Sequence, residues 1–353
     1  MKINTTMLEI VQGFTNVMLS TGEQAAETLE HSAMAAEQAL QHGQARFLDG
    51  QWRGDAGARD CKLFVPAAYH GQPLPLIVML HGCRQDPADF AAGTRMNALA
   101  EEMACLVLYP GQSRSANGFN CWNWFSQDDQ QRGLGEPAII AGMTRHIINT
   151  WHVDTARVYV AGLSAGGAMA VIMGKTYPDL FAAIGVHSGL AYAGAHDMQS
   201  ALRAMRIGAP LALSHPEHGA LLTPASKTMA TIVFHGDSDT TEHPDNGDRV
   251  IEQITPAPMA SGEPPPQCDL TIVRGEVDQG HAFTRTIHHC NDSVAAVAEQ
   301  WVVHGAGHAW SGGSNDGSYS DPKGPDASRE MLRFFLSQQR NAGQGNLAPA
   351  AKP

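Results

Sequence analysis

The chain has 353 residues and ordinary apolar content (43%), enough for one large α/β domain with insertions. A formal net charge of −12 without any long basic run excludes nucleic acid and anionic membrane surfaces as partners, because both recruit clustered Lys and Arg. No apolar run reaches the length of a bilayer span; the longest, such as residues 76–80, are strand-sized.

The first residues, MKINTTMLEIVQGFTNVMLS, do not read as a secretory leader, since Glu9, Gln12 and Asn16 interrupt every candidate apolar core. The stretch TGEQAAETLEHSAMAAEQALQ is rich in strong helix formers at helical spacing. Residues 1–45 are therefore predicted to be a helical extension, read first as a packing or homodimerisation arm. From residue 46 the pattern changes. KLFVP, PLIVML, CLVLYP, RVYVAG, AAIGVHSG and TIVFHG read as strands. TRMNALAEEMA, EPAIIAGMTRHIINTW and AGGAMAVIMGKTYP between them read as helices. This alternation predicts an α/β fold with a mostly parallel central sheet flanked by helices.

Residues 190–228 lack a clear period and are predicted to form a loop-rich insertion near the mouth of a site. TPAPMASGEPPPQ reads as a Pro-rich surface loop. CDLTIVRG and FTRTIHHC read as a hairpin turning near Glu276–His281, which sets Cys268 opposite Cys290 and makes that pair a candidate disulfide. Cys61 and Cys105, each placed at a buried strand, read as core thiols. DASREMLRFFLSQQR reads as a closing helix, so the main domain is expected to span 46–340, with a flexible tail over 341–353.

Chemistry concentrates in three places. Gly162-Leu163-Ser164-Ala165-Gly166 matches G-x-S-x-G and falls between a strand and a helix, where a strained turn lifts a serine hydroxyl out of the sheet. Serine needs a base held by an acid, and in this strand–turn–helix context the order along the chain is serine, acid, histidine. The acid is expected after the strand TIVFHG, where Asp237 and Asp239 compete. The strand end resembles an H-G-x-x-D arrangement, which selects Asp239 and leaves Asp237 as a turn residue. The base is expected in EQWVVHGAGHAWSGG, with His308 favoured over His304 because Gly305 and Gly307 give its loop freedom to swing an imidazole over the sheet edge. A second oxyanion donor should come from the loop after LIVMLHG; Cys83 is the candidate there and Ala165 the other, both through backbone N–H groups. Neither H-E-x-x-H nor C-x-x-C occurs, so no metal site and no cofactor are expected.

The runs LHGCRQDPADFAAGTRMNALAE, NGFNCWNWF, GLSAGGAMA and GHAWSGG resemble the esterase family of poly(3-hydroxybutyrate) depolymerases, from about residue 50 to about residue 338. That family is similar to feruloyl and acetylxylan esterases. The resemblance implies the α/β-hydrolase fold and ester hydrolysis through an acyl-enzyme. It implies Ser164 as nucleophile, Asp239 as acid, His308 as base, and Cys83 and Ala165 as the oxyanion hole. It also suggests a Cys83–Cys121 disulfide tying the oxyanion loop to CWNWF. The implied partner is an ester: polyhydroxybutyrate polymer, its oligomers or small esters, with plant-derived feruloyl or acetylxylan esters as the alternative. A serine peptidase fits the flanking motifs less well. A non-enzymatic alternative reads residues 1–45 as an arm docking on a polymer or storage granule. The family implies an extracellular location, whereas the first residues show no leader, which leaves the compartment open. Trp122, Trp124 and Trp310 are candidates for an apolar substrate groove, with core packing as the alternative. The mechanism needs His308 neutral, so activity is expected to fall in acid.

Overall fold

The computed structural model describes residues 43–210, 229–254, 268–290 and 296–340. The expectations for an N-terminal helical arm, the Pro-rich loop and the C-terminal tail lie outside the described residues, apart from the few at their edges.

Ten strands form one sheet in the order β1-β2-β4-β3-β5-β6-β7-β10-β9-β8. Its centre is parallel: β4 (Leu106–Pro110), β3 (Leu74–Leu80), β5 (Val153–Leu163), β6 (Ala183–His187), β7 (Ala230–Gly236) and β10 (Ala298–Val303). Strands covered on both faces have no use for alternation, and β3 reads LPLIVML with every residue buried. Leu76, Val78 and Leu80 enter the core on one face, while Ile77 and Met79 enter the core on the other.

Each edge is closed by an antiparallel pair. β1 (Arg46–Gly54) and β2 (Gly57–Val65) flank β4, and β9 (Ala282–Cys290) and β8 (Cys268–Glu276) flank β10. The hairpin expected around Glu276–His281 forms, and its register sets Cys268 opposite Cys290. β1 was not expected from the sequence, because exposed Asp49, Gln51 and Arg53 alternate with half-buried positions of which two are glycines, Gly50 and Gly54, as suits an edge strand.

Helices α1 (Pro87–Thr94), α2 (Met96–Met103) and α7 (Ala327–Leu336) cover one face, with Phe90, Met96 and Met331 buried beneath them. Helices α3 (Gly135–Thr150), α4 (Ala165–Thr176), α5 (Met198–Ile207) and α6 (Asp245–Ile254) cover the other, burying Ile140, Met169, Ala201 and Val250. α5 corrects the expectation of a loop-rich insertion over its residues. Asp197 starts it with a capping box to Ser200, and its buried side is made of small residues, Ala201 and Ala204, that give little periodic signal. Among the described residues no helix is long and apolar enough to cross a membrane.

Candidate active site

Ser164 is the single residue between β5 and α4, with φ 58° and ψ −122°. A positive φ is uncommon outside glycine, and here it turns the chain sharply from strand to helix. Its amide donates to His187 O at 2.9 Å, and its hydroxyl makes no capping bond to the helix it precedes. The flanking glycines are there for space. A Cβ on Gly162 would enter the backbone of Gly166, and one on Gly166 would enter the carbonyl oxygen of Leu80. The strand β3, the turn and the helix therefore meet backbone to backbone.

Asp239 lies in the tight turn after β7. Its Oδ2 is 2.8 Å from His308 Nδ1, and its Oδ1 accepts the amides of Thr241 and Glu242, both at 2.9 Å. The carboxylate is fully enclosed. Burial pushes its pKa up, but the bond from His308, the charge of that ring and the Glu242 amide outweigh burial and hold Asp239 below the ordinary carboxylate range. Asp237, two residues earlier, is half-exposed and holds His304 Nδ1 at 2.8 Å and the Gly305 amide at 2.7 Å. The turn and the loop carrying His308 are laced together by Asp237 N to Val303 O and Ser238 N to Ala306 O, both 3.1 Å. Gly305 takes a positive φ of 78°, whereas Gly307 takes none, so the loop's special backbone resides at Gly305 alone.

Sequence reasoning missed four residues around this centre. His187 accepts the Ser311 amide on Nε2 at 2.9 Å while its carbonyl accepts the Ser164 amide, so one residue joins the serine turn to the loop beyond His308. Burial, then the nearby His235 and His308, push its pKa down to about 3, and it stays neutral. His235 Nε2 is 3.0 Å from Glu242 O and 3.6 Å from Asp239 Oδ2. Glu242 is buried beside Asp239, and burial followed by that charge raises its pKa well above the usual value. The fourth, His81, receives the Gln112 amide on Nε2 at 3.0 Å and turns Nδ1 to Gly82 O at 2.8 Å. Strand-end histidines give no sequence signal that separates such scaffolding from chemistry.

The loop after β3 is held from several sides. Gly82 N donates to Gln85 Oε1 at 2.9 Å and Arg84 N to Phe119 O at 2.7 Å. Cys83 is disulfide-bonded to Cys121. Between those two committed amides, the Cys83 amide donates to no protein acceptor among the described residues. Ala165 stands at the first position of α4, where helix N–H groups have no partner in the helix and the dipole favours negative charge. Behind the loop, Gln112 donates to Cys121 O at 3.0 Å and to Glu136. Asn123 gives Glu136 its amide at 2.7 Å and its side chain at 2.8 Å.

Two of the three tryptophans expected to line a groove, Trp122 and Trp310, pack in the core instead. Trp122 and Trp310 are fully enclosed and Trp124 nearly so. Trp122 donates Nε1 to His81 O at 3.1 Å, and Trp310 stacks on His187 while donating Nε1 to Ser328 Oγ at 3.0 Å. A ring whose N–H is satisfied inside the core supports the site from behind and cannot line its opening. Cys61 and Cys105 are buried free thiols. The side chains of Cys268 and Cys290 lie outside the description, so only their backbone register is defined. Among the described residues no group of three or more His, Cys, Asp or Glu is disposed to hold a metal ion.

Residues 60–257 match the family model described as Esterase PHB depolymerase. The chain is 36% identical over 184 residues to poly(3-hydroxyalkanoate) depolymerase C of Paucimonas lemoignei, across 51% of this chain and 44% of that protein. It is 31% identical over 195 residues to acetylxylan esterase A of Emericella nidulans, across 52% of this chain and 62% of that one. Feruloyl esterase B of Neurospora crassa is 34% identical over 131 residues, across 37% and 44% of the two chains. The matches thus span about half the length of these relatives. Among solved structures, an acetyl xylan esterase from Aspergillus awamori superposes with a TM-score of 0.59 at 20% identity, over 83% of this chain and 99% of that one, which is a likeness of fold.

Proposed function

The chain belongs to the PHB depolymerase esterase family, and on that premise we propose that it hydrolyses carboxylic esters through an acyl-enzyme on Ser164. The observation that carries this reading is the enclosed Asp239–His308 bond, on the strand edge where the Ser164 turn also lies.

In this mechanism Asp239 holds Nδ1–H of His308, which leaves Nε2 to take the proton from Ser164 Oγ. The Oγ–carbon bond forms and the carbonyl electron pair moves to oxygen, where the amides of Cys83 and Ala165 receive the charge. The oxyanion then collapses, the ester C–O bond breaks, and His308 gives its proton to the departing alcohol oxygen. Water enters, loses a proton to the same nitrogen, and attacks the acyl carbon. A second collapse restores Ser164 and releases the acid. Asp239 stays ionised throughout, consistent with a carboxyl held below its usual range.

For substrate we favour hydroxyalkanoate esters, polymer or oligomer, because the depolymerase match is the most similar of the relatives named above. The second reading, a feruloyl or acetylxylan-type esterase, draws on the matches to those enzymes. Residues 46–340 are read as the catalytic domain. Turnover of p-nitrophenyl acetate by the wild type and by Ser164→Ala tests the chemistry; retained activity in the variant would refute it. A parallel panel of 3-hydroxybutyrate oligomers and ferulate esters separates the two substrate readings.

A further inference from the structure

Arg84 follows the candidate oxyanion donor Cys83 directly, and it is mounted in an unusual way. Its backbone sits at φ 67°, a left-handed conformation that is costly for a long side chain. Three links hold it there: Arg84 N to Phe119 O at 2.7 Å, Asn120 Nδ2 to Gln85 O at 3.4 Å, and the Cys83–Cys121 disulfide. Among the described residues the side chain returns no ion pair or hydrogen bond that would offset the strain. It is exposed, makes no ion pair among the described residues, and lies over the Phe119 ring, 5.6 Å from its centre. Phe119 is itself 64% exposed. On this acidic chain Arg59, Arg132, Arg157, Arg285 and Arg333 each face a carboxylate of the protein. Arg84 presents its charge outward. The loop that carries it is close to the serine turn: a Cβ on Gly82 would lie 3.5 Å from Leu163 O.

We propose that Arg84 and Phe119 form a carboxylate subsite beside the oxyanion hole, so that the preferred substrates are esters bearing a free carboxylate, as short polyesters of hydroxy acids do at their acid end. The guanidinium takes the carboxylate by charge-assisted hydrogen bonds, and the ring keeps the guanidinium in place and packs against the chain between carboxylate and scissile ester. The inference rests on the esterase reading and sharpens it. A neutral acetyl or feruloyl sugar ester offers such a site nothing.

The test compares kcat/KM for the dimer of 3-hydroxybutyrate as free acid and as its methyl ester, with p-nitrophenyl acetate as a neutral reference. The wild type should prefer the acid about tenfold. The preference should shrink as ionic strength rises from about 0.01 to about 1 M, because the site is open to solvent. Arg84→Gln should bring the ratio close to one, and Arg84→Lys should restore part of it. Methyl-ester turnover with no acid preference in the wild type overturns the subsite while leaving the esterase standing. So does an undiminished preference in Arg84→Gln. Failure on all three substrates overturns the esterase reading and the subsite with it. If Arg84→Gln does not fold, the wild-type ratio and its salt dependence decide the matter alone.

Discussion

Asp237 and Asp239 stand two residues apart in one turn, and each holds the Nδ1 of a different histidine at 2.8 Å: Asp237 takes His304 and Asp239 takes His308. The two pairs have the same hydrogen-bond geometry and opposite surroundings. Asp239 is enclosed and receives two backbone amides, whereas Asp237 is open to solvent. Only the enclosed pair can exclude water from a developing imidazolium. Asp239→Asn should lower kcat for p-nitrophenyl acetate by about four orders of magnitude, since an amide cannot hold the required tautomer. Asp237→Asn should cost roughly 0–1 kcal/mol of stability, as exposed ion pairs do, and little activity. Equal losses of activity in the two variants would refute the assignment.

What could be read from the sequence was local. A strand, a serine between glycines and a helix are contiguous, and the acid and base each follow an apolar strand within a few residues. The parts that could not be read are contacts made across the chain. His187 meets Ser311 from 124 residues away, and Gln85 meets Ser318 from 233. Glu136 sits in an ordinary helical run, and only folding brings Gln112, Asn123 and Arg59 around it. Trp310 shows the same limit from the other side. Its distance from His308 along the chain says nothing about which way the ring turns, and the ring turns inward onto His187 and Phe90.

The close approach at the serine turn makes a second prediction. Gly166→Ala places a methyl group inside the Leu80 carbonyl, with backbone on both sides and no flexible atom to yield. The variant should lose several kcal/mol, on the scale of severe overpacking, or fail to fold. At Gly307 a Cβ meets nothing within 4 Å and φ is not in the positive range, so Gly307→Ala should melt within a few degrees of wild type. Urea titrations of both variants check this, and a stable Gly166→Ala protein would disprove the steric account of the motif.

Glu136 predicts how stability varies with pH. Burial, then the charge of Asp129, push its pKa up to about 7, against the donors on Asn123 and Gln112 and the charge of Arg59. Unfolding returns it to the ordinary glutamate value of 4.5. Between those values the folded chain holds a proton that the unfolded chain has released. Its contribution is therefore complete below the unfolded value and is lost as pH rises through the folded one, by on the order of 3 kcal/mol at most. Wild type should be less stable at pH 8 than at pH 5, and Glu136→Gln should remove that part of the slope. An identical slope in the variant would show that Glu136 does not titrate in this window.

The Cys83–Cys121 bond closes a separation of 38 residues around the candidate oxyanion donor. Cys121→Ser should cost about 3–4 kcal/mol by release of chain entropy in the unfolded state. Its effect on turnover should be of a different kind. The loop then keeps Arg84 N–Phe119 O and Gly82 N–Gln85 Oε1 but loses the covalent tie, and the Cys83 amide moves relative to Ser164. A misplaced donor is felt where charge develops on the substrate oxygen, so kcat should fall about 10–100-fold with KM little changed. Dithiothreitol should act on wild type in the same direction. Cys61 and Cys105 cannot account for that response, because both are free thiols that a reductant leaves unchanged. A rise in KM at constant kcat would mean that the bond shapes the binding surface and leaves the oxyanion hole untouched.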